Sequence, residues 1–183
     1  MNICIGLYKG KGRLHNAIVR RWTKSIYSHA ELILPDQTSI TIFPFSLKGI
    51  HRAPFDAENE PEEDWDFICV PVNPHQLSII EKFYEQTKTQ QYDWVGLLAS
   101  QLGPFHIKHK SGWYCSEWIA YALRLAGIVK TLHMESDMSP EVLSRLVSSG
   151  TKYEKFSDIP EGTDWNNTWL KVSHFGPEGP HES

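Results

Sequence analysis

The chain has 183 residues, 40% of them hydrophobic and 22% charged, with a formal net charge of −4 at pH 7. This length and composition are typical of one globular domain with a sizeable core, and they argue against a disordered or repeat protein. No stretch approaches the roughly 20 apolar residues that a membrane span needs. Lys9, Lys11 and Arg13 interrupt the apolar start too early for a signal peptide. We therefore expect a cytoplasmic protein, with delivery by another route left open.

Three cysteines, at positions 4, 69 and 115, form neither a disulfide pattern nor a close pair typical of zinc sites. Cys4 and Cys69 lie within apolar strands and are expected to be core thiols in a reducing compartment. His106 and His109 have the spacing of half a metal site, but no carboxylate or cysteine nearby completes it. We therefore predict no metal and no cofactor.

Positive charge is concentrated at the start of the chain. Residues 1–30 contain no acidic side chain and six basic ones, namely Lys9, Lys11, Arg13, Arg20, Arg21 and Lys24. Such a cluster attracts anionic surfaces or substrates weakly, although a solvated basic face is the more common meaning. It has little aromatic interleaving, so nucleic-acid binding is not predicted.

Periodicity predicts the N-terminal elements. Residues 2–7 are mostly apolar and predict a first strand. Apolar residues then recur at every fourth position, which predicts a short amphipathic helix through Leu14, Ile18, Trp22 and Ile26. Residues 28–34 and 39–43 predict two strands of a hairpin, because residues 35–37 (Pro-Asp-Gln) between them favour a turn.

The middle of the chain begins with residues 54–66, whose seven acidic side chains predict a solvated surface loop. Residues 67–72 predict a further strand. A helix follows, because Asn73 is a favourable N-cap and Pro74 suits the first helical position. The apolar face of this helix consists of Ile79, Ile80, Phe83, Tyr84 and Thr87.

Three more helices are predicted from their end signals. Asp93 caps one that reaches residue 101. The next begins at Cys115, ends at Gly127 and has apolar residues at positions 115, 118, 119, 122, 123 and 126. The last is short, with Ser139 as its N-cap and Pro140 at its first position.

These elements together predict an α+β domain, a small antiparallel sheet with helices on one side. Residues 153–156 and 168–172 add two late strands. We assign residues 1–175 to a single domain and residues 176–183 to a disordered tail.

Cys115 is the residue that points most clearly to chemistry. A thiol at a helix N-terminus meets free N–H groups and the positive end of the helix dipole, and both stabilise its thiolate. A lone cysteine on an apolar helix face is more often buried and inert. The first-turn position favours a nucleophile, because a structural cysteine gains nothing from it.

His29, on a predicted strand far upstream, is the candidate base. Glu31 shares its face of the strand and is a candidate to orient the imidazole, which is the third role in a triad. Residues two apart on a strand are separated by about 6–7 Å, so direct contact needs favourable rotamers. Ser39 and Thr41 on the partner strand are the alternatives, and Glu31 is favoured only narrowly.

Three short blocks occur in an informative order. They are Ser28-His29-Ala30-Glu31-Leu32, Tyr92-Asp93-Trp94-Val95-Gly96-Leu97-Leu98 and Trp113-Tyr114-Cys115-Ser116-Glu117-Trp118. The histidine precedes the cysteine, whereas ordinary papain-like enzymes have the reverse order. Over roughly residues 1–130 the chain resembles the circularly permuted branch of the NlpC/P60 papain-like superfamily, which includes the YiiX-like hydrolases and bacteriophage relatives. The resemblance implies a papain-like fold, in which a small antiparallel sheet or half-barrel packs against helices.

The resemblance also implies that Cys115 is the nucleophile and His29 the general base of a cysteine peptidase or amidase. The thiolate attacks an amide or ester carbonyl, and water releases the acyl group from a thioester, with the Cys115 N–H as the natural oxyanion donor. The third triad residue of this branch often lies on the strand after the histidine, where this chain has no carboxylate. Trp113 and Tyr114 are expected to bind substrate, although core packing explains aromatic residues there equally well.

Two other functions remain open. A lipid acyltransferase, thioesterase or lipase would use the same dyad, and the basic cluster supports that alternative. A non-catalytic interaction protein or phage structural protein would keep the scaffold without the chemistry. The lecithin:retinol acyltransferase branch has a different cysteine motif and is disfavoured. The expected partner is a small-molecule, peptide or lipid-like acyl substrate.

Overall fold

The computed structural model of the protein describes residues 1–10, 17, 19–21, 25–43, 49–55, 61–93, 112–129, 138–148 and 150–153. Several predictions lie outside these ranges, namely the helix after Asp93, the histidines at 106 and 109, the strand over 168–172 and the tail over 176–183. The predicted domain boundary at residue 175 also lies outside them.

The described residues form two sheets. The strands are β1 (Asn2–Tyr8), β2 (His29–Ile33), β3 (Thr38–Thr41), β4 (His51–Pro54), β5 (Trp65–Pro71), β6 (Gln91–Tyr92), β7 (Gly112–Trp113) and β8 (Thr151–Tyr153). Six of them form an antiparallel sheet in the order β4-β3-β2-β1-β5-β8. The other two, β6 and β7, form a short parallel pair.

Helices complete the architecture. They are α1 (Pro74–Thr87), α2 (Cys115–Leu125) and α3 (Pro140–Leu146). Residues 17 and 19–21 are also helical. Across the described ranges, no helix has the length and apolar character needed to cross a membrane. The predicted α+β class, with a small antiparallel sheet and helices, is confirmed.

Local sequence signals set the helix ends. Asn73 and Gln76 form a capping box in which the Gln76 N–H donates to Asn73 Oδ1 at 2.9 Å. Ser139 Oγ accepts from the Val142 N–H at the start of α3. Gly127 follows α2 with a φ of 67°, a left-handed conformation that glycine adopts without steric cost. The predicted boundaries at these three positions are confirmed.

Alternation along β1 divides its side chains between two apolar clusters. Ile3, Ile5 and Leu7 join the main core, together with the buried faces of the helices. Cys4 and Tyr8 point the other way, into a smaller cluster with Ile33, Trp65, Phe67 and Cys69. Because β1 is buried on both faces, its sequence is a continuous apolar run.

Cys4 and Cys69 form a disulfide. They lie directly opposite each other in the register of β1 and β5, with their Cα atoms 4.0 Å apart. The prediction that both are buried is confirmed, but the prediction that they are free thiols is wrong. The disulfide could not be predicted from the spacing of the cysteines, because only the strand register brings the two positions together. The expected reducing compartment, which was inferred from those thiols, loses its support.

Asp66 is a strand residue, and its assignment to a solvated acidic loop is wrong. Strand β5 begins at Trp65, and the Asp66 side chain is buried. Lys9 Nζ donates to Oδ1 at 2.7 Å and the Tyr27 hydroxyl donates to Oδ2 at 2.6 Å. Burial of this carboxylate is tolerated because both of its oxygens are paired.

Two predicted elements have different bounds in the structure. Ile26, the last apolar position of the predicted N-terminal helix, lies outside any helix and is 60% exposed. The predicted strand over 153–156 begins earlier, because β8 pairs with β5 from residue 151 to residue 153. Backbone pairing with β5, which periodicity does not report, sets that earlier start.

Candidate active site

Cys115 is the first residue of α2, and its side chain is 6% exposed. Tyr114 precedes it as an extended N-cap residue and makes no side-chain capping bond. The N–H groups of the first helical turn therefore remain available to groups near the helix start. Cys115 is the free cysteine of the chain, since Cys4 and Cys69 are bonded to each other.

His29 is the first residue of β2, and its side chain is 9% exposed. Its imidazole shares a hydrogen bond with the Cys115 side chain. Its Nε2 lies 2.9 Å from Thr41 Oγ1 and 3.5 Å from Glu31 Oε1. Both of these contacts are made by the same ring nitrogen. The fold thus brings together two residues that are distant in sequence.

The sulfur lies beside the part of β2 that β3 does not pair with. The β2–β3 ladder covers Leu32 and Ile33 and does not extend to Ala30. The Ala30 N–H donates to the Cys115 sulfur instead, and the Ser116 N–H donates from the start of α2. Two backbone donors and one imidazole surround the sulfur, an environment that favours the thiolate.

The electrostatics of the site favour a thiolate–imidazolium pair. Burial raises the pKa of Cys115, but the His29 charge and the hydrogen bonds at the sulfur outweigh burial and lower that pKa below its usual value. Burial lowers the pKa of His29, but Cys115 and Glu31 outweigh burial and raise that pKa to about 10. Each charge therefore stabilises the other, which is typical of an activated cysteine nucleophile.

Thr41 and Glu31 approach the same ring nitrogen of His29. Thr41 Oγ1 is at hydrogen-bonding distance, whereas Glu31 lies further away and raises the pKa of His29 through a longer hydrogen bond and through its charge. Ser39 lies opposite Ile33 in the register, further along the strand from His29. The alternatives that the sequence left open therefore differ in what they supply. Thr41 fixes the direction of the imidazole, and Glu31 supplies negative charge.

Glu31→Gln and Thr41→Val should separate these two contributions. Removing the Glu31 charge should lower the pKa of His29 below about 10 and move the upper inflection of the Cys115 alkylation profile, where the imidazolium loses its proton, to lower pH. Removing the Thr41 hydroxyl should slow alkylation about tenfold, the equivalent of one lost hydrogen bond, with little change in the inflection. Iodoacetamide rates measured across the pH range check this. Identical profiles for the two variants would contradict the assignment of different roles to Glu31 and Thr41.

The two predicted substrate-binding aromatics lie beside α2. Tyr114 is buried in the main core, and its hydroxyl accepts a hydrogen bond from the Met138 N–H at 3.1 Å. Trp113 is half-buried and packs against the rings of Phe83 and Tyr121. Both side chains have packing roles in the fold, and substrate contact by either stays a prediction.

Two other aromatic residues belong to the site and were not predicted for it. Burial, followed by the charge of Cys115, raises the pKa of the Tyr92 hydroxyl, so Tyr92 remains a protonated donor near the sulfur. Phe43 stacks on the His29 ring, with centroids 4.7 Å apart and planes inclined at 20°. Tyr92 opens one of the three blocks quoted above, so a signal for it existed. Phe43 carried none, because an apolar residue at a strand end is typical of core.

Two members of the basic cluster are engaged within the fold. Lys9 pairs with Asp66, and Arg20 donates to the backbone carbonyls of Lys9 and Gly10. Arg21 is exposed. The other three members lie outside the described residues. Weak attraction to anionic surfaces stays a prediction. The pairing of Lys9 with Asp66 reduces the free positive charge that supports it.

Within the part of the chain that the structure describes, no three histidine, cysteine, aspartate or glutamate side chains are grouped in a way that could hold a metal ion.

No protein-family model matches the chain, and no curated protein matches it. The resemblance to the permuted NlpC/P60 branch therefore stays a prediction from the three sequence blocks.

Proposed function

We propose that the protein is a cysteine hydrolase of the circularly permuted NlpC/P60 papain-like type, which cleaves an amide bond through a thioester acyl-enzyme. One observation carries the proposal. Cys115, at the N-terminus of α2, is hydrogen-bonded to His29, and each residue shifts the pKa of the other towards its charged form. In this reading Cys115 is the nucleophile and His29 is the general base and acid, while Thr41 and Glu31 support the imidazole.

Acyl transfer at this pair is balanced in atoms and charge. The Cys115 thiolate attacks the amide carbon, and a C–S bond forms as the carbonyl oxygen becomes an oxyanion. The His29 imidazolium gives its proton to the leaving nitrogen, the C–N bond breaks, and a thioester remains. Water then loses a proton to neutral His29 and attacks the thioester. The acid leaves, and the thiolate–imidazolium pair is restored.

Two groups near the sulfur are suited to stabilise the oxyanion. The Cys115 N–H has no intrahelical acceptor, because it belongs to the first helical turn. The Tyr92 hydroxyl is protonated and lies close enough to interact with the Cys115 charge. One oxyanion donor of this kind is worth about 3 kcal/mol of the activation barrier.

Burial of the pair argues against a scaffold without chemistry. Transfer of an imidazole, a carboxylate and a thiol from water to a buried site carries a desolvation cost, and structural roles are usually met by apolar side chains. Clusters with mutually shifted pKa values concentrate at functional sites for this reason. The lipid-directed alternative would use the same dyad, but its support, the basic cluster, is partly neutralised by Asp66.

Alkylation of Cys115 tests the proposal directly, because Cys115 is the free thiol of the chain. For the wild type, the inflection of the iodoacetamide rate against pH should lie below the ordinary thiol pKa of about 8.5. For His29→Ala it should move to higher pH, because the His29 charge and hydrogen bond, the two largest contributions that oppose burial at Cys115, are then lost.

His75→Ala is the matched control, because His75 is an exposed histidine on α1 and should leave the profile unchanged. A wild-type inflection at or above the ordinary value, unaffected by His29→Ala, would refute the proposed nucleophile.

A further inference from the structure

Phe43 is an exposed aromatic ring in contact with the proposed base. Its side chain is 41% exposed, whereas His29 beneath it is only 7% exposed. The other large hydrophobic side chains exposed in the described ranges, Met1, Ile26 and Leu125, are aliphatic. Phe43 therefore presents an apolar aromatic surface beside the proposed base.

The fold holds this ring in a defined position. Ile42 is buried in the main core, so Phe43, its neighbour, is directed away from that core. Phe43 lies between two imidazoles, with His29 at 4.7 Å and His51 at 5.8 Å between ring centroids. His51 is itself tied to the backbone, through Nδ1 and the Gly49 carbonyl at 3.2 Å. A ring held by two neighbours and left partly exposed is preorganised for a further contact.

The chemistry of acyl transfer determines which part of a substrate meets this ring. The His29 proton must reach the leaving atom, so that atom lies within hydrogen-bonding distance of the ring nitrogen that faces Cys115. The group attached to the leaving atom is then held beside the imidazole. Phe43 covers a face of that imidazole. The leaving group, rather than the acyl group, is therefore the part of the substrate beside Phe43.

We propose that Phe43 is a specificity-determining residue of the site and selects substrates whose leaving group carries an apolar, preferably aromatic, substituent. This inference rests on the proposed function, since it assigns a substrate preference to the same cysteine. An aromatic contact of this kind changes a rate about two- to tenfold beyond the effect of burial alone.

Two thioesters with the same acetyl group provide the test. S-ethyl thioacetate and S-benzyl thioacetate each transfer the acetyl group to the Cys115 sulfur, while the released thiolate takes a proton from His29. Intact-mass analysis follows acetylation of Cys115. Each rate is divided by the rate of the same thioester with free cysteine, which removes the difference in intrinsic reactivity. We expect the wild type to favour the benzyl probe about tenfold after this correction.

Phe43→Ala should bring the corrected ratio close to one, and Phe43→Trp should retain it. Phe43→Leu keeps an apolar cover over His29 without an aromatic ring, so it should give an intermediate ratio even if the alanine variant folds poorly. A purely structural role would change the alkylation profile of Cys115 against pH and leave the ratio unchanged. We expect the ratio to change and the profile of Phe43→Leu to remain that of the wild type.

The outcomes distinguish the two proposals. Acetylation of the wild type without a benzyl preference, or with the same preference in Phe43→Ala and Phe43→Leu, would overturn the role of Phe43 and leave the nucleophile intact. Failure of both probes to acetylate wild-type Cys115, together with an ordinary alkylation profile, would overturn the proposed function and this inference with it.

Discussion

Cys115→Ala should reduce the hydrolysis of S-benzyl thioacetate by about 10⁴-fold or more, the loss seen when a nucleophile that acts as a unit with its base is removed. Cys115 is the proposed acceptor of the acyl group, and no other free thiol is present to replace it. His29→Ala should cause a loss of similar size, because the buried thiol then stays protonated. Release of benzyl thiol and of acetate, measured at neutral pH, gives both rates.

The double variant distinguishes a coupled pair from two independent effects. If Cys115 and His29 act together, replacing both should be no worse than replacing one, so the losses should not multiply. His75→Ala serves again as the exposed-histidine control, and thermal unfolding of each variant confirms that it is folded. Hydrolysis that survives in Cys115→Ala within a few-fold of the wild-type rate would favour the non-catalytic scaffold.

Reduction of the Cys4–Cys69 disulfide should lower the free energy of unfolding by about 4 kcal/mol. The two cysteines are separated by 65 residues, and a cross-link over such a loop restricts the unfolded chain by about that amount in the chain-entropy estimate. The native sheet should persist after reduction, because β1 and β5 are paired along their whole length. Urea unfolding with and without dithiothreitol measures the difference.

A reductant-insensitive variant controls this measurement. Cys4→Ala combined with Cys69→Ala lacks the cross-link, so its urea midpoint should be the same with and without dithiothreitol and should lie below that of the oxidised wild type. Equal midpoints for oxidised and reduced wild type would show that the bond contributes nothing to stability. Iodoacetamide labelling before and after reduction counts the thiols and verifies the state of the bond.

Much of the local structure could be predicted because its causes are local. The capping box at Asn73, the N-cap at Ser139 and the stop at Gly127 act over three or four neighbouring residues. The turn signal at residues 35–37 predicted the hairpin of β2 and β3, because these residues favour a turn between two strands. The α+β class follows from these elements alone.

The candidate site was only partly predictable, since its members come from separate elements. The order of histidine and cysteine and the first-turn position of Cys115 are visible in the sequence. The sequence does not show whether Glu31 or Thr41 lies closer to the His29 imidazole, because that depends on side-chain rotamers and on the packing of β3 against β2. Phe43 illustrates the same limit, since its ring contact with His29 depends on where the chain leaves β3.

The pairing register of β1 and β5 brings together residues whose contacts cannot be predicted from composition or spacing. Cys4 and Cys69 read as separate core thiols until β1 and β5 pair them, and Asp66 read as a loop residue until β5 brings it to Lys9 and Tyr27. The starts of the three helices and the thiol at a helix N-terminus could be predicted, because they depend on neighbouring residues. Which buried polar groups meet could not be predicted, because it depends on contacts between residues that are distant in the chain.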